Sequence, residues 1–382
     1  MTERRDLSVE PPQWREEPAA VRARGSGRED VERGHVPSED EGRTSDGRTI
    51  DIDLIRSHRV ELGEGVKVKI GNIAAIARRR GVPALLGAVW WGGRGLVTHK
   101  VLGRRFIERR VHGRPMILDL TDRGISRTLL LFGTREAEHV QVLREVLQPG
   151  MTVLDIGANI GYYALLELDL VGSSGTVLLV EPSPENVDLL RRNLARNGHG
   201  DVPVLEVAVS DTSGTRAFHL SSMSNMNTFH DVGTGTEYLT GTAIDVTTVT
   251  VPDLVPNGRL DLIRMDVEGH EVEVLAGMLD AIDSGTLAPM ILFETHLTRY
   301  SKEHDIERVL RRLFAAGYRA HTVGSSSERG SAIIEARGYR GGPPIRTDDV
   351  HRILYTDIAE DDLVDMVART GGIRTVLLAP SP

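Results

Sequence analysis

Two apolar periods alternate along most of this chain. Short continuous runs have the length and composition of buried strands: Val153-Leu154, Val177 to Val180, Val204 to Val207, Leu260 to Met265, Met290 to Phe293 and Tyr318 to Val323. Arg352 to Tyr355 completes the series. Between the runs, apolar positions recur at helical spacing, as at Val187, Leu190 and Leu194, and again across Lys302 to Ala316. Strands alternating with helices predict an α/β fold, a doubly wound, mostly parallel seven-stranded sheet covered on both faces. Upstream, Glu136 to Leu147 reads as a helix leading into this core, and Phe106 to Leu131 is strand-like, most clearly at Met116 to Leu120. Gly71 to Arg80 suits a short basic helix. Val82 to Val97 is apolar and flanked by Arg78, Arg79, Arg80, Arg94, Lys100, Arg104 and Arg105. From Met1 to Arg48 there is little apolar periodicity, and charges of both signs mix with Gly, Pro and Ser, which predicts a disordered tail. The expected organisation is a tail (1–48), an N-terminal cap region of helices and strands (49–148), the core (149–357) and a C-terminal extension (358–382). Within the core, the long Gly-rich stretch Gly324 to Val350 is expected to be a lid or surface loop.

The turn after the first run carries the most information. Asp155, Gly157, Asn159 and Gly161 link strand to helix, with the helix starting near Tyr162. Such a turn seats nucleotide-like ligands in α/β folds, because glycines let the backbone bend and approach the ligand. The spacing is not that of a dinucleotide fingerprint, since Asn159 and Tyr162 stand where small residues are usual, and no Lys-Ser or Lys-Thr marks a phosphate loop. A ligand without phosphate fits, and Asp155 suits a cationic amino-acid portion. These are properties of S-adenosylmethionine. The second strand ends in Glu181, placed to bind both ribose hydroxyls. Ser183 follows as a helix N-cap with Pro184 at the first helical position, and the helix stops near Asn197-Gly198. Asp211, after the third strand, is a candidate acceptor for the adenine amine.

These motifs resemble the FkbM family of S-adenosylmethionine-dependent methyltransferases. The resemblance rests on five segments, in matching order and spacing, over about residues 110 to 357: Val153 to Tyr163, Glu181 to Pro184, Ala208 to Asp211, Asp261 to Glu271 and Ile291 to His296. Arg264 stands where family members commonly have Lys. The resemblance implies a Rossmann-like class I methyltransferase fold, S-adenosylmethionine as cofactor, and O-methylation of a sugar, glycan or secondary-metabolite hydroxyl. Two rivals are a pocket that binds the cofactor without turnover, as a regulatory or partner-binding module, and a nicotinamide-dependent oxidoreductase. Asp266 and the Glu294/His296 pair speak against the first, and Asn159 and Tyr162 in the glycine turn against the second.

An alcohol has a high pKa, so a base or a metal assists its attack. His296, just past the fifth strand, is the expected base. Asp266 ends the fourth strand, Glu268 shares a helical face with Glu271, and Glu294 is placed to orient His296 or to join it and Asp266 around a metal. Asp266 and Glu271 have ordinary readings too, as a helix cap and as first-turn charge. Two carboxylates and one His without characteristic spacing are a weak metal signal, so no metal ligand is assigned and a divalent ion is a secondary expectation. The polar loop Ser221 to His230, with Asn225 and Asn227, suits either sugar hydroxyls or a plain connection.

Composition bounds the partners. A net charge of −9 and a pI near 5.8 argue against nonspecific nucleic-acid binding. Zero cysteines exclude a disulfide framework and thiolate metal sites. No apolar N-terminal run follows Met1 and nothing approaches a membrane span, so a cytoplasmic location is expected. Residues 71–105 have two readings, a helical cap with a solvated basic face, which is favoured, or an amphipathic element on an acidic membrane or glycolipid.

Overall fold

The computed structural model describes residues 80–229, 239–256 and 259–381. The expected tail, and the basic helix from Gly71 apart from Arg80, lie outside them. Helix α1 (Val82–Leu96) runs into one π-helical turn (Val97–Val101), followed by a hairpin of β1 (Phe106–Val111) and β2 (Arg114–Asp119) and by helices α2 (Ile125–Phe132) and α3 (Ala137–Val146). The core begins with β3 (Thr152–Ile156), α4 (Tyr162–Val171), β4 (Thr176–Val180), α5 (Pro184–Arg196) and the short β5 (Val204–Leu205). A side sheet of β6 (Ala208–Val209), β7 (Gly214–Ser221) and β8 (Leu239–Val249) comes next, then a single turn, α6 (Val251–Leu254). The core resumes with β9 (Leu262–Met265), α7 (Glu271–Ala276), α8 (Leu279–Asp283), β10 (Met290–Glu294), α9 (Ile306–Ala315) and β11 (Tyr318–Ser325). The last elements are α10 (Glu328–Glu335), the hairpin β12 (Ile345–Thr347) and β13 (Val350–Arg352), β14 (Leu354–Tyr355), α11 (Glu360–Asp365) and β15 (Ile373–Pro380).

The central sheet runs β14-β11-β15-β10-β9-β3-β4-β5. From β10 to β5 all neighbours are parallel. Chain order reverses between β3 and β9, and a crevice opens outside the carboxyl ends of strands at such a switch. Apolar clusters pack on both faces, one built on Ile263, Phe293, Leu310 and Val376, the other on Leu154's neighbour Val153, Leu143, Leu165 and Leu292. Burial on both sides explains why these strands read as continuous apolar runs.

The sheet departs from expectation in three places. Among the described residues it has eight strands rather than seven, and residues 358–381 do not stand apart from it as an extension. β15 lies between β10 and β11, antiparallel to both, with Val376, Leu377 and Leu378 fully buried. Its apolar run, Val376 to Ala379, follows a strand that closed the expected series. Second, Gly324 to Val350 is not a plain loop: Ser327 accepts a hydrogen bond from the Gly330 N–H to cap α10, and the β12–β13 hairpin follows. Third, Ile125 to Leu131 is helical, since the strand pattern ends with β2 and Gly133 closes α2 in the left-handed conformation.

Candidate active site

The glycine turn sits at the switch point. The N–H groups of Gly157 and Ala158 donate to the Val180 carbonyl at 2.9 and 3.0 Å, which bends the chain off β3. Gly157 has φ +80°, and a Cβ there would lie 2.4 Å from the Asp266 carbonyl oxygen. The residue therefore has to be glycine for packing against the β9 turn, not only for ligand approach. Gly161, at φ +92°, opens α4 where a Cβ would meet Leu190 at 2.8 Å. Asn159 has φ +50°, and its N–H donates to Glu181 Oε2 at 2.9 Å. The Ser183 N–H and Asn186 Nδ2 donate to Glu181 Oε1 at 3.0 and 3.2 Å. Glu181 is thus gripped from behind while facing the pocket, and burial pushes its carboxyl up to about 7. Ser183 occupies the N-cap position of α5 without a side-chain capping bond and lies outside the pocket lining.

Asp155 is also outside that lining. It is fully buried beneath the turn, where Arg264 Nη1 donates to it at 3.0 Å and to the Gly157 carbonyl at 3.2 Å. Its carboxylate is committed to Arg264, which also lies 4.1 Å from the centre of the Tyr163 ring and 3.4 Å from Asp266 Oδ2. The pocket's acidic wall is instead Asp266, whose Oδ1 is buried with no hydrogen-bond partner.

At the other end the pocket is lined by Ala208, Val209 and an aromatic row: Phe218 lies 4.9 Å from Phe229, and Phe229 lies 4.5 Å from His270. A flat, apolar slot of this kind suits a purine ring. Asp211 is not part of it; it is exposed and paired with Arg216 at 2.6 Å. The loop after Ser221 does line the pocket through Ser224, Asn225, Asn227 and Phe229. The Ser224 carbonyl accepts from Asn159 Nδ2 at 3.2 Å and Asn186 Nδ2 at 3.1 Å, so the loop is tied to the glycine turn.

The four expected catalytic residues converge. His296 Nδ1 is 2.9 Å from Glu271 Oε1, and its Nε2 is 3.6 Å from both Glu268 and Glu294. Glu271, at the start of α7, also accepts from the Gly269 N–H at 3.1 Å, so it is far more than first-turn charge. Three carboxylates around one imidazole, Glu271 foremost, hold His296 well above its usual pKa despite burial. An imidazolium cannot take up a proton, so the geometry disfavours His296 as the resting base. Burial and the Asp266 charge push Glu268 up to about 7, and burial pushes Glu294 up to about 8. Glu268 stands at φ +51° and lines the pocket, whereas Glu294 and His296 lie behind it. Ligand-type atoms of Asp266, Glu268 and His296 lie within 4.8 Å of one another, as do those of Glu136, Asp266 and Glu294.

Several members of the site were not foreseen. Glu136 accepts from Tyr163 Oη at 2.6 Å and Arg374 Nη2 at 2.8 Å and is paired with Arg135. Arg374, from β15, also meets Glu294 at 2.7 Å. Six carboxylates (Glu136, Asp155, Asp266, Glu268, Glu271 and Glu294) thus face three guanidiniums and one imidazolium. Burial pushes Glu268 and Glu294 upward, the direction that relieves this excess of negative charge.

Residues 155–320 match the family model described as Methyltransferase FkbM domain. Hexuronic acid methyltransferase AglP of Haloferax volcanii is 30% identical over 152 residues, covering 39% of this chain and 59% of that protein. The 31-O-demethyl-FK506 methyltransferase FkbM of Streptomyces tacrolimicus is 30% identical over 166 residues, covering 35% of this chain and 62% of that protein. The chain therefore spans about three fifths of the length of these curated relatives. Among solved structures, methyltransferase FkbM from Methylobacillus flagellatus KT aligns at 15% identity over 69% of this chain and 59% of that one, with a TM-score of 0.31. The matched segment spans the glycine turn, Glu181, Asp266 and His296, so the site lies in the part of this chain that is similar to FkbM methyltransferases.

Proposed function

We propose that this chain is an S-adenosylmethionine-dependent O-methyltransferase acting on a hydroxyl of a sugar, a glycan or a secondary metabolite. A hexuronic acid and an O-demethyl natural product are the acceptors named for the two relatives above. The observation that carries the reading is the meeting, at the sheet's switch point, of a ribose-type carboxylate, an aromatic slot and a carboxylate–imidazole cluster. The residues fit the cofactor: Glu181 lines the pocket with a carboxylate for ribose hydroxyls, Phe218 and Phe229 flank the slot for a purine, and Asp266 offers an unpartnered oxygen to positive charge. When bound, S-adenosylmethionine supplies a methyl group activated by its sulfonium.

The chain's own task is to orient the acceptor hydroxyl and take its proton. Glu268 is the group we assign to that task. It faces the pocket, and its raised pKa of about 7 is matched to a base working near neutrality. His296 is a positioning residue: Glu271 fixes its ring, and its charge favours the ionised form of Glu268.

Turnover should rise with pH through about 7, as Glu268 loses its proton, and then level off. Glu268→Gln should lower turnover by about 10²–10⁴, the usual worth of a general base, and remove that acid limb. His296→Gln should keep the limb but move it to higher pH, because the neighbouring cation is gone. If His296→Gln abolishes the limb while Glu268→Gln keeps it, the base is His296. Loss of activity with a chelator, restored by a divalent ion, would assign the proton's removal to a metal held by Asp266, Glu268 and His296.

A further inference from the structure

Helix α1 and its π-helical turn have two unlike sides. One is packed: Ala88 and Gly95 are buried, and Cβ atoms at Gly92 and Gly95 would meet Leu131 at 3.3 Å and Leu130 at 2.9 Å. α1 thus packs on α2 through this side. The other side carries Val82, Leu86, Val89, Trp90, Leu96, Val97, Val101 and Leu102, all exposed, with Trp90 at 66% and Val101 at 74%. Among the described residues, every exposed large hydrophobic side chain lies on this element or on Leu102, which caps it. Single exposed apolar residues need no explanation, but a contiguous set does.

The charge around the stripe is inverted relative to the molecule. The whole chain carries −9, yet from Val82 to Arg105 there are four basic residues and no Asp or Glu. Arg105 is paired with Asp119 and Glu185. Arg94, Lys100 and Arg104 are exposed and have no carboxylate partner among the described residues. Pairing two copies through this face would set those cations against their own counterparts. No described helix is long and apolar enough to cross a membrane, so the element has the make-up of one that lies flat at an interface.

We infer that α1 and its π-helical turn dock on an anionic lipid surface, with Leu86, Val89, Trp90 and Val101 entering the acyl boundary and Arg94, Lys100 and Arg104 at the headgroups. Each basic residue near an anionic surface is worth about 1 kcal/mol. Three such residues make a roughly 100-fold preference for anionic over neutral vesicles, at 1.4 kcal/mol per tenfold.

The test is flotation of the full chain with vesicles of phosphatidylcholine alone and with phosphatidylglycerol added, read together with Trp emission. Binding to the anionic vesicles, a blue shift and weakening by salt are expected. Leu86→Glu with Trp90→Glu, and separately Arg94→Glu with Lys100→Glu and Arg104→Glu, should each lose binding while S-adenosylhomocysteine affinity and circular dichroism stay unchanged. Three results overturn the inference. The folded full chain stays unbound with both vesicle types; it binds both equally; or the Leu86/Trp90 variant converts a dimer to a monomer while neither form binds lipid, which would make the face a contact between copies.

Discussion

Glu181 is held by three N–H donors, one on Oε2 and two on Oε1, and pushed by burial to about 7, so it is partly protonated near neutrality. Ribose hydroxyls that donate to it favour the ionised form. Binding of S-adenosylhomocysteine should therefore release a proton below pH 7 and tighten as the pH rises from 6 to 8. Calorimetry in two buffers of different ionisation enthalpy measures this, and Glu181→Gln should abolish both effects while weakening binding by roughly 1.5–3 kcal/mol. Glu167 presents the opposite case. It is fully buried on α4, neither carboxyl oxygen has a hydrogen-bond partner, and burial together with the nearby Asp155 charge raises its pKa far above the usual range. A group raised in the folded state contributes stability below its unfolded pKa and loses it as the pH climbs toward the folded value. The native protein should lose thermal stability between pH 5 and 9, and Glu167→Gln should flatten that slope. An identical slope in both proteins would mean that Glu167 is ionised. Neither grip nor burial is visible in sequence: Glu181 is legible because it ends a strand, whereas Glu167 looks like an ordinary helix-surface acid between Leu166 and Leu168.

Among the elements, the glycine turn is the part that sequence foretold best. Its glycines serve packing as much as ligand approach. Gly157→Val places a side chain at φ +80° against the Asp266 carbonyl, so it should cost about 1–3 kcal/mol in backbone strain before any ligand is considered. Denaturant unfolding of the ligand-free protein is the check; a loss confined to cofactor affinity would return the residue to a purely ligand-facing role. The parallel strands were legible because both faces are buried, and the helices because one face is. β15 was not, because it follows an edge strand that seemed to end the sheet. With β15 went Arg374, so the positive charge balancing Glu136 and Glu294 had no signal in local pattern. Arg264 was noticed only as a departure from the family's usual Lys, yet its fork reaches Asp155, Gly157 and Asp266 together. A lysine carries one compact ammonium and no such fork. Arg264→Lys should therefore loosen the turn, read as weaker S-adenosylhomocysteine binding, with larger losses for Arg264→Ala.

For the molecule as a whole, the acidic charge, the absence of cysteine and the alternation of strand and helix periods make the fold class legible in the sequence. The residues lining the pocket come from α2's start, the glycine turn, β4's end, the side sheet and the β9 turn, distances in sequence that no periodicity connects. The composition of residues 1–48 offers too little apolar surface to offset the entropy of ordering. Their removal should leave the melting temperature and the affinity for S-adenosylhomocysteine unchanged; a large drop in either would show that they dock on the core.

The wedge formed by β15 also bears on the route to the native state. β11 touches the rest of the central sheet only through β15, apart from the edge strand β14. It cannot join the parallel strands until β15 has inserted beside β10. The same insertion brings Arg374 to Glu136, 238 residues away in sequence. Contacts this distant close slowly, because loop entropy is lost before they form. Refolding should then run in two phases, with helical signal returning first and competence to bind the cofactor appearing only in the slower one. Mixing unfolded protein into buffer containing a fluorescent cofactor analogue would separate them, and Val376→Ala should slow the second phase and leave the first nearly untouched.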